Sequence, residues 1–254
     1  MAQTPAPVER PLNLVLLTRV ERYTDERARL QGSRAAHLID VMGCEVGRIL
    51  RVGVVDGPMG EGRVVLVDRH QRIVEIEYQL NQPTPERPRF DLLLAMPRPK
   101  VLARILEHVT TLGVGQIVLT RSWRVDKSYF QTALLDPEGH TPHLWAGLEQ
   151  ACDTRLPTVH VFPRFKPLVE DDLDEILGPG TRLVAHPSAT TRAASAFTGT
   201  GRAAIAIGPE RGWTDYEVDA LGACGFTPVS LGPRILRVET ACTVALAQLA
   251  FATA

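Results

Sequence analysis

The sequence has few of the residue patterns that build metal centres or disulfide frameworks. Its cysteines, Cys44, Cys152, Cys224 and Cys242, are scattered and never form a Cys-x-x-Cys pair, so neither a zinc site nor a disulfide framework is predicted. The histidines give no His-x-x-x-His or His-Glu-x-x-His pattern, which removes the usual sequence evidence for a metal hydrolase. We therefore expect no metal.

Long apolar runs are also missing. No run approaches the roughly 20 residues that span a bilayer. Pro5, Pro7, Glu9 and Arg10 stand where a signal peptide needs an apolar core, so a cytoplasmic location is the expectation. With 44% hydrophobic and 22% charged residues, the chain of 254 residues has an ordinary globular composition and room for a small and a medium domain.

Lysine is scarce, and the net charge is small. Of the 28 basic residues only Lys100, Lys127 and Lys166 are lysine. The excess of arginine suits bidentate contacts to phosphate, or it reflects coding bias alone. The net charge of -1 disfavours a protein that binds nucleic acid over its whole surface, so any RNA site is regional.

Two sequence rhythms divide the chain. From Leu12 to about Leu80, short Val-rich and Ile-rich runs alternate with turns, and one helix is predicted over Arg34–Met42 with Ser33 as its N-cap. This pattern predicts a small β-barrel. The segment 81–89 contains three prolines and predicts an extended connector.

After the connector, strands and helices alternate. The run Phe90–Ala95 reads as a buried strand, and the alternation continues to a final helix predicted over Val238–Ala250. This rhythm predicts an α/β domain with a mainly parallel sheet. The domain boundaries that follow are 1–82 and 90–254.

Two turns rich in glycine and proline carry the strongest functional signal. Gly-Pro-Glu-Arg-Gly at 208–212 follows the predicted strand Ala203–Ile207, and a second turn begins at Ser230. A third strand is predicted to end at His186. Ligands of open parallel sheets bind beyond the carboxyl ends of the strands, so the three ends predict a pocket. The alternative is that the glycines serve turn geometry alone.

The two turns, at their separation, closely resemble the signature of the 16S ribosomal RNA uridine-N3 methyltransferase family, RsmE. This family belongs to the SPOUT class of knotted methyltransferases, which use S-adenosyl-L-methionine. His37–Val41 and Ala95–Lys100 match the family pattern too, so the resemblance covers nearly the whole chain. It implies a PUA-like, RNA-binding β-barrel over 1–82, a SPOUT methyltransferase domain with a C-terminal knot over 90–254, and a homodimer.

The resemblance also implies roles for individual residues. Arg237 and Arg234 are expected to hold the target base or its phosphate and to stabilise the uracil anion that forms when N3 loses its proton. Glu239 is expected to accept a proton or to orient an arginine. The alternative is a structural ion pair between Arg237 and Glu239. The cofactor contacts are expected from His186, Pro187, Gly208, Pro209, Glu210, Gly212, Ser230, Leu231, Gly232, Ile235, Leu236 and Arg237.

RNA binding is expected at two basic regions. Arg19, Arg22 and Arg34 would form a patch on the barrel, although Glu21, Asp25 and Glu26 make a solvated face of mixed charge the alternative. In the methyltransferase domain, Arg124 and Lys127 lie among aromatic residues in the unusual segment 121–129, a composition that suits RNA.

The sequence departs from the family pattern at several positions. Arg211 stands where the family usually has glycine, so a positive φ there would be strained, and its side chain either crowds the cofactor or adds a substrate contact. Thr111 replaces a usual glutamate. Ala-Cys-Asp at 151–153 replaces the usual Ser-Gly-Arg after Glu-Gln.

The predicted function is S-adenosyl-L-methionine-dependent methylation of N3 of a uridine in the 16S RNA of the small ribosomal subunit. One alternative is a non-catalytic RNA-binding or ribosome-assembly protein of the same fold, and another is a SPOUT methyltransferase for a different RNA target. An NAD-linked oxidoreductase is disfavoured because no Gly-x-Gly-x-x-Gly fingerprint is present.

Overall fold

The computed structural model of the protein describes residues 14–197, 199 and 201–252. The positions considered for a signal peptide, Pro5 to Arg10, and the start of the barrel pattern at Leu12 lie outside the described residues. The chain divides into two compact units. The first comprises the described residues up to Glu86 together with Leu148–Arg155, and the second comprises Arg87–Gly147 and the chain from Leu156. The boundaries 1–82 and 90–254 stay a prediction.

The elements are given in chain order. The strands are β1 Leu14–Leu17, β2 Arg27–Gln31, β3 Ile49–Val54, β4 Met59–Asp68, β5 Ile73–Gln82, β6 Phe90–Ala95, β7 Val114–Thr120, β8 Thr158–Phe162, β9 Thr181–Ala185, β10 Ala203–Ile207 and β11 Thr227–Val229. The α-helices are α1 Gly32–Ala36, α2 Pro99–Thr111, α3 Pro137–Ala151, α4 Phe165–Pro167, α5 Leu173–Leu177, α6 Ala193–Ala196, α7 Asp215–Ala223 and α8 Val238–Phe251. Short π-helices span His37–Val41 and Leu168–Asp172, and 3-10 helices span Lys127–Gln131 and Ala133–Leu135.

The first unit is built on a five-stranded sheet in the order β1-β3-β4-β5-β2. β1 pairs with β3 in parallel, and the other pairs are antiparallel. Every second side chain of β5 points into the core, where Val74, Ile76 and Tyr78 are buried. The sheet confirms the barrel-like N-terminal domain. The strand β2 was not predicted, because its polar residues leave only Ala28 and Leu30 on the buried face.

Two local features of this unit, the start of α1 and the backbone of the residue after α3, were not predicted from the sequence. The N-cap of α1 is Gln31, so the prediction of Ser33 as N-cap is wrong, and Ser33 lies inside the helix. At the end of α3, Cys152 has φ 55°. The family pattern has glycine at this position, so the left-handed backbone is kept here by a residue that adopts it at some cost.

The second unit is built on a six-stranded sheet in the order β11-β9-β10-β6-β7-β8. Every pair is parallel. The central strands β6 and β10 are buried at all positions, as expected for a parallel sheet covered on both faces, whereas β8 at one edge is largely half-buried. The predicted α/β class with a mainly parallel sheet is confirmed. No helix in the described part of the chain is long and apolar enough to cross a membrane.

A buried ion pair fixes the amino end of β6. Asp91 is 1% exposed, and its two carboxylate oxygens accept hydrogen bonds from Nη2 of Arg202 at 2.7 and 2.6 Å. Burial raises the pKa of Asp91 above its ordinary value of 3.8, while the Arg202 guanidinium opposes that rise. Arg202 and, to a smaller extent, Gln116 therefore favour the charged form of the carboxylate.

Candidate functional site

The carboxyl ends of four neighbouring strands meet at one edge of the parallel sheet. In the order β11-β9-β10-β6, these ends are Val229, Ala185, Ile207 and Ala95, and the register pairs Val229 with Ala185 and Ile207 with Leu94. The loops that follow the strands therefore lie side by side. This edge is where open parallel sheets bind ligands.

A cavity of about 970 Å³ lies among these loops. All residues predicted for cofactor contact and for catalysis, from His186 to Glu239, line it. Helix α2 contributes Val101 and Arg104, and Arg98 precedes that helix. The structure thus brings the predicted residues of three separate loops together, while their individual roles stay a prediction.

The first loop, 208–214, turns sharply after β10. The backbone N–H of Gly212 donates to the carbonyl of Pro209 at 2.8 Å, and Gly212 has φ 70°. Arg211 is not among the described residues with positive φ, so the left-handed position falls on Gly212 and the arginine is accommodated without backbone strain. At Gly208, an added Cβ would lie 3.1 Å from both N and Cδ1 of Trp213.

The start of the second loop, 230–237, is fixed by hydrogen bonds with two other segments of the chain. The backbone N–H of Ser230 donates to the carbonyl of Thr191 at 2.7 Å, and Nε2 of Gln248 on α8 donates to the carbonyl of Leu231 at 3.0 Å. Within the loop, the backbone N–H of Gly232 donates to Oγ of Ser230 at 3.2 Å, and Gly232 has φ 137°. These bonds fix the backbone that borders the cavity.

Positive charge dominates the cavity lining. Of the described residues that line it, five are arginines and two are glutamates: Arg98, Arg104, Arg211, Arg234, Arg237, Glu210 and Glu239. The excess of cationic groups favours an anionic ligand or a reaction that develops negative charge. Arg98 and Arg104 were not predicted. The signal available for them was the position of α2 directly after β6.

Glu239 forms its ion pair with Arg104, and not with Arg237 as the alternative interpretation of the sequence had it. Its Oε1 lies 3.8 Å from Nη2 of Arg104, and the glutamate side chain is 22% exposed. Arg237 directly precedes α8 as its N-cap residue and is exposed. The described part of the structure gives it no ion pair, so the interpretation of a structural pair between Arg237 and Glu239 is wrong.

The predicted RNA-binding residues of the first unit differ in the number of contacts that their side chains make with the protein. Arg34 forms ion pairs with Glu21 and Glu149, and the second lies at 3.5 Å. Arg34 therefore already has two carboxylate partners, and its contact with RNA stays a prediction. Nε of Arg22 donates to the hydroxyl of Tyr78 at 2.7 Å, whereas Arg19 is exposed.

The predicted RNA-binding segment of the second unit is tied to the cavity. Nη1 of Arg124 donates to the carbonyl of Arg211 at 2.6 Å and to that of Trp213 at 3.4 Å. The carboxylate of Glu217, which is 2% exposed, accepts from the backbone N–H of Trp123 at 2.7 Å. Glu217 also forms a capping box with Thr214 at the start of α7.

Known proteins share both the sequence and the fold of this chain. The family model of an RNA methyltransferase domain matches residues 85–250. Ribosomal RNA small subunit methyltransferase E of Treponema pallidum is 32% identical over 225 residues, which cover 85% of this chain and 81% of that protein.

Solved structures extend the likeness of the fold. The putative methyltransferase Lpg2936 from Legionella pneumophila, in complex with bound cofactor SAM, aligns over 94% of this chain and 98% of its own, with a TM-score of 0.77 and 21% identity. Ribosomal RNA small subunit methyltransferase E from Neisseria gonorrhoeae, bound to S-adenosyl methionine, aligns over 94% and 97%, with a TM-score of 0.75 and 19% identity.

The fold and the clustered loops define a knotted α/β protein of the RNA methyltransferase class, with a small barrel-like domain at its N-terminus. The predicted fold class is confirmed. Within this class, the chain belongs to the family of ribosomal RNA small subunit methyltransferase E, RsmE, as the resemblance of its two turns predicted.

Proposed function

We propose that the protein transfers the methyl group of S-adenosyl-L-methionine to N3 of a uridine in the 16S RNA of the small ribosomal subunit. The observation that carries the proposal is the cavity at the carboxyl ends of the strands, which combines apolar walls with five arginines. Membership of the RsmE family supports the same reaction. We further propose that the protein acts in the cytoplasm as a homodimer, which rests on the resemblance.

The lining of the cavity fits this cofactor. Its volume of about 970 Å³ lies near the upper end of ordinary ligand sites. Val101, Ile207, Leu231 and Leu236 give apolar walls for an adenine ring, and the carboxylate of Glu210 can accept hydrogen bonds from an amine or a hydroxyl. When bound, the cofactor supplies an electrophilic methyl group on its sulfonium sulfur.

The arginines of the cavity account for the substrate side of the reaction. N3 of uracil must lose its proton before it attacks, so the reaction develops negative charge on the ring. Arg237 and Arg234 are exposed at the cavity and offer planar guanidinium groups that stabilise this charge or hold an adjacent phosphate. Nη2 of Arg104 lies 3.8 Å from Oε1 of Glu239, the residue that we assign as the proton acceptor. A target uridine must leave its stack to reach this place.

Two departures from the family pattern are compatible with catalysis. Arg211 has no positive φ, as described above, and its side chain is exposed at the cavity. Thr111 directs its hydroxyl to the carbonyls of Glu107 and Gly147, at 2.9 and 3.3 Å. The fold accommodates both residues, which supports the proposed reaction over the non-catalytic alternative.

The proposed reaction is tested by transfer of labelled methyl groups. Small ribosomal subunits from a strain that lacks the protein are incubated with the full-length chain and labelled S-adenosyl-L-methionine, and the RNA is digested for nucleoside mass spectrometry. We expect 3-methyluridine. Cofactor binding without transfer would point to another RNA target, and no cofactor binding would favour the non-catalytic alternative.

Replacement of Gly208 by alanine is expected to weaken cofactor binding. The new Cβ would press on Trp213 at 3.1 Å, a distance at which one of the two must shift, and the loop borders the cavity. We expect the dissociation constant of S-adenosyl-L-methionine to rise about tenfold in calorimetry, which corresponds to a loss of ~1.4 kcal/mol. Gly222→Ala is the matched control, because a Cβ there meets nothing within 4 Å. Equal affinity in both variants would disprove the close approach.

A further inference from the structure

The segment 121–127, which follows β7, presents a tryptophan on a fixed backbone. Trp123 is 86% exposed. Its backbone N–H is held by the buried carboxylate of Glu217, and the next apolar residue, Val125, is 6% exposed and anchors the segment in the core. A large ring in solvent on a tied backbone is typical of a contact residue, because ordering it on binding costs little entropy.

Cationic residues flank Trp123 along the chain and in the neighbouring cavity loop. Arg124, Lys127 and Arg211 are exposed, and the described residues give none of them an ion pair. Arg124 uses two backbone carbonyls, which hold its side chain without neutralising its charge. The acid of the segment, Asp126, accepts hydrogen bonds from the backbone N–H and the hydroxyl of Ser128, which lower its pKa.

This surface is continuous with the cavity. Arg211 lines the cavity, and its carbonyl binds the side chain of Arg124, the immediate neighbour of Trp123. We infer that Trp123 stacks on an unpaired base that flanks the nucleotide in the cavity, and that Arg124, Lys127 and Arg211 contact the phosphates beside it. The inference rests on the proposed function, because it takes the ligand to be RNA.

The chemistry of the surface favours RNA over a protein partner. Every base has a π face that an indole ring can cover, and stacking of this kind tolerates any base. Unpaired arginines next to the ring provide forks for phosphate oxygens. Protein interfaces also use tryptophan and arginine, so the argument for RNA is the surplus of three cationic groups over the single carboxylate of Asp126, which favours a polyanionic ligand.

The test compares two substitutions of the ring. Affinity for a labelled transcript of small-subunit ribosomal RNA is measured by filter binding for the full-length protein, for Trp123→Leu and for Trp123→Phe. Loss of stacking in the leucine variant is expected to weaken binding about tenfold, whereas phenylalanine keeps a flat ring and should recover most of the affinity. Lys127→Gln should reduce the slope of affinity against salt by about 1.

Phe251→Leu is the matched control, because Phe251 is a 79% exposed aromatic residue of the same unit that lies outside the cavity. Wild-type affinity in Trp123→Leu would overturn the inference. A changed molecular mass of that variant in solution would instead assign the ring to a contact between copies. Unchanged RNA affinity with reduced methyl transfer to intact subunits would assign it to a ribosomal protein.

The two hypotheses fail in different ways. If the protein binds the transcript through Trp123 but transfers no methyl group, the proposed reaction fails and the RNA surface stands. If methyl transfer and RNA affinity are both unchanged in Trp123→Leu, the surface fails and the reaction stands.

Discussion

Arg237→Ala is expected to lower methyl transfer by roughly 100-fold while the fold is kept, since removal of one preorganised donor to a developing anion typically costs this much. Arg237 is exposed at the cavity, and among the described residues its side chain has no ion pair that its loss would break. The loss should fall mainly on the rate of transfer at saturating substrate. Single-turnover transfer of labelled methyl to small subunits measures it.

Two further variants separate the effect of the Arg237 guanidinium group from the effect of losing any exposed arginine. Arg237→Lys keeps the charge but loses the planar fork, so an intermediate rate is expected if the guanidinium makes paired hydrogen bonds. Arg164→Ala removes an exposed arginine that does not line the cavity and should transfer methyl groups at the normal rate. Full activity in Arg237→Ala would discard the catalytic role of this residue.

The largest effect on stability is expected from Arg202→Met. This change removes the charged partner of the Asp91 carboxylate, which is 1% exposed at the amino end of β6, and leaves its hydrogen bonds with Gln116. Because the side chain of Arg202 is 36% exposed, water solvates part of the unpaired charge, and we expect the free energy of unfolding to fall by ~1–3 kcal/mol. The three tryptophans, Trp123, Trp145 and Trp213, all lie in the second unit, so urea unfolding followed by tryptophan fluorescence reports on this sheet.

The destabilisation should depend on pH in a defined direction. Burial already raises the pKa of Asp91, and loss of Arg202 removes the largest of the contacts that lower it while those of Gln116 remain, so the folded-state pKa rises further above the ordinary 3.8. The folded variant then binds a proton more tightly than the unfolded chain does. Its deficit relative to wild type is therefore full above the raised pKa and shrinks as the pH falls through it, so a series of unfolding measurements from neutral to acid pH should show the deficit decreasing.

Two controls accompany this variant. Lys166→Met breaks the exposed pair with Glu170, whose side chains are 65% and 56% exposed, and should cost no more than about 0.5 kcal/mol. Asp91→Leu combined with Arg202→Met removes both charges and should recover most of the lost stability. A deficit that is independent of pH would mean that packing, and not the stranded carboxylate, explains the effect.

The elements with the clearest periodicity were predictable from sequence. Phe90–Ala95 and Ala203–Ile207 were predicted with the bounds that the structure has, since each is a short, mostly apolar run between polar or turn residues. Strand β2 was not predicted because it contains the charged residues Arg27 and Arg29 and its buried face consists of only Ala28 and Leu30. The end of β5 was also not predicted, because pairing with β4 extends this strand to Gln82, which lies in the segment predicted to be a connector.

The site was predictable only in part, for a physical reason. The loops at 208 and 230 carry strings specific enough for a family to be identified, so their residues were placed at one site before the structure was known. Arg98 and Arg104 could not be assigned to the site from the sequence alone, because β6 and β10 are neighbours in the sheet but lie more than a hundred residues apart in the chain. Likewise, no local pattern reveals that Arg104 holds Glu239.

The hydrogen bonds from Arg124 to the carbonyls of Arg211 and Trp213 join the segment that carries Trp123 to the cavity loop. A ligand that displaces one of the two therefore acts on the other. If a ligand of the cavity changes the affinity for RNA through this contact, thermodynamic linkage requires RNA to change the affinity for that ligand by the same factor. Where this coupling is positive, the methyl donor is held most tightly while the RNA is in place.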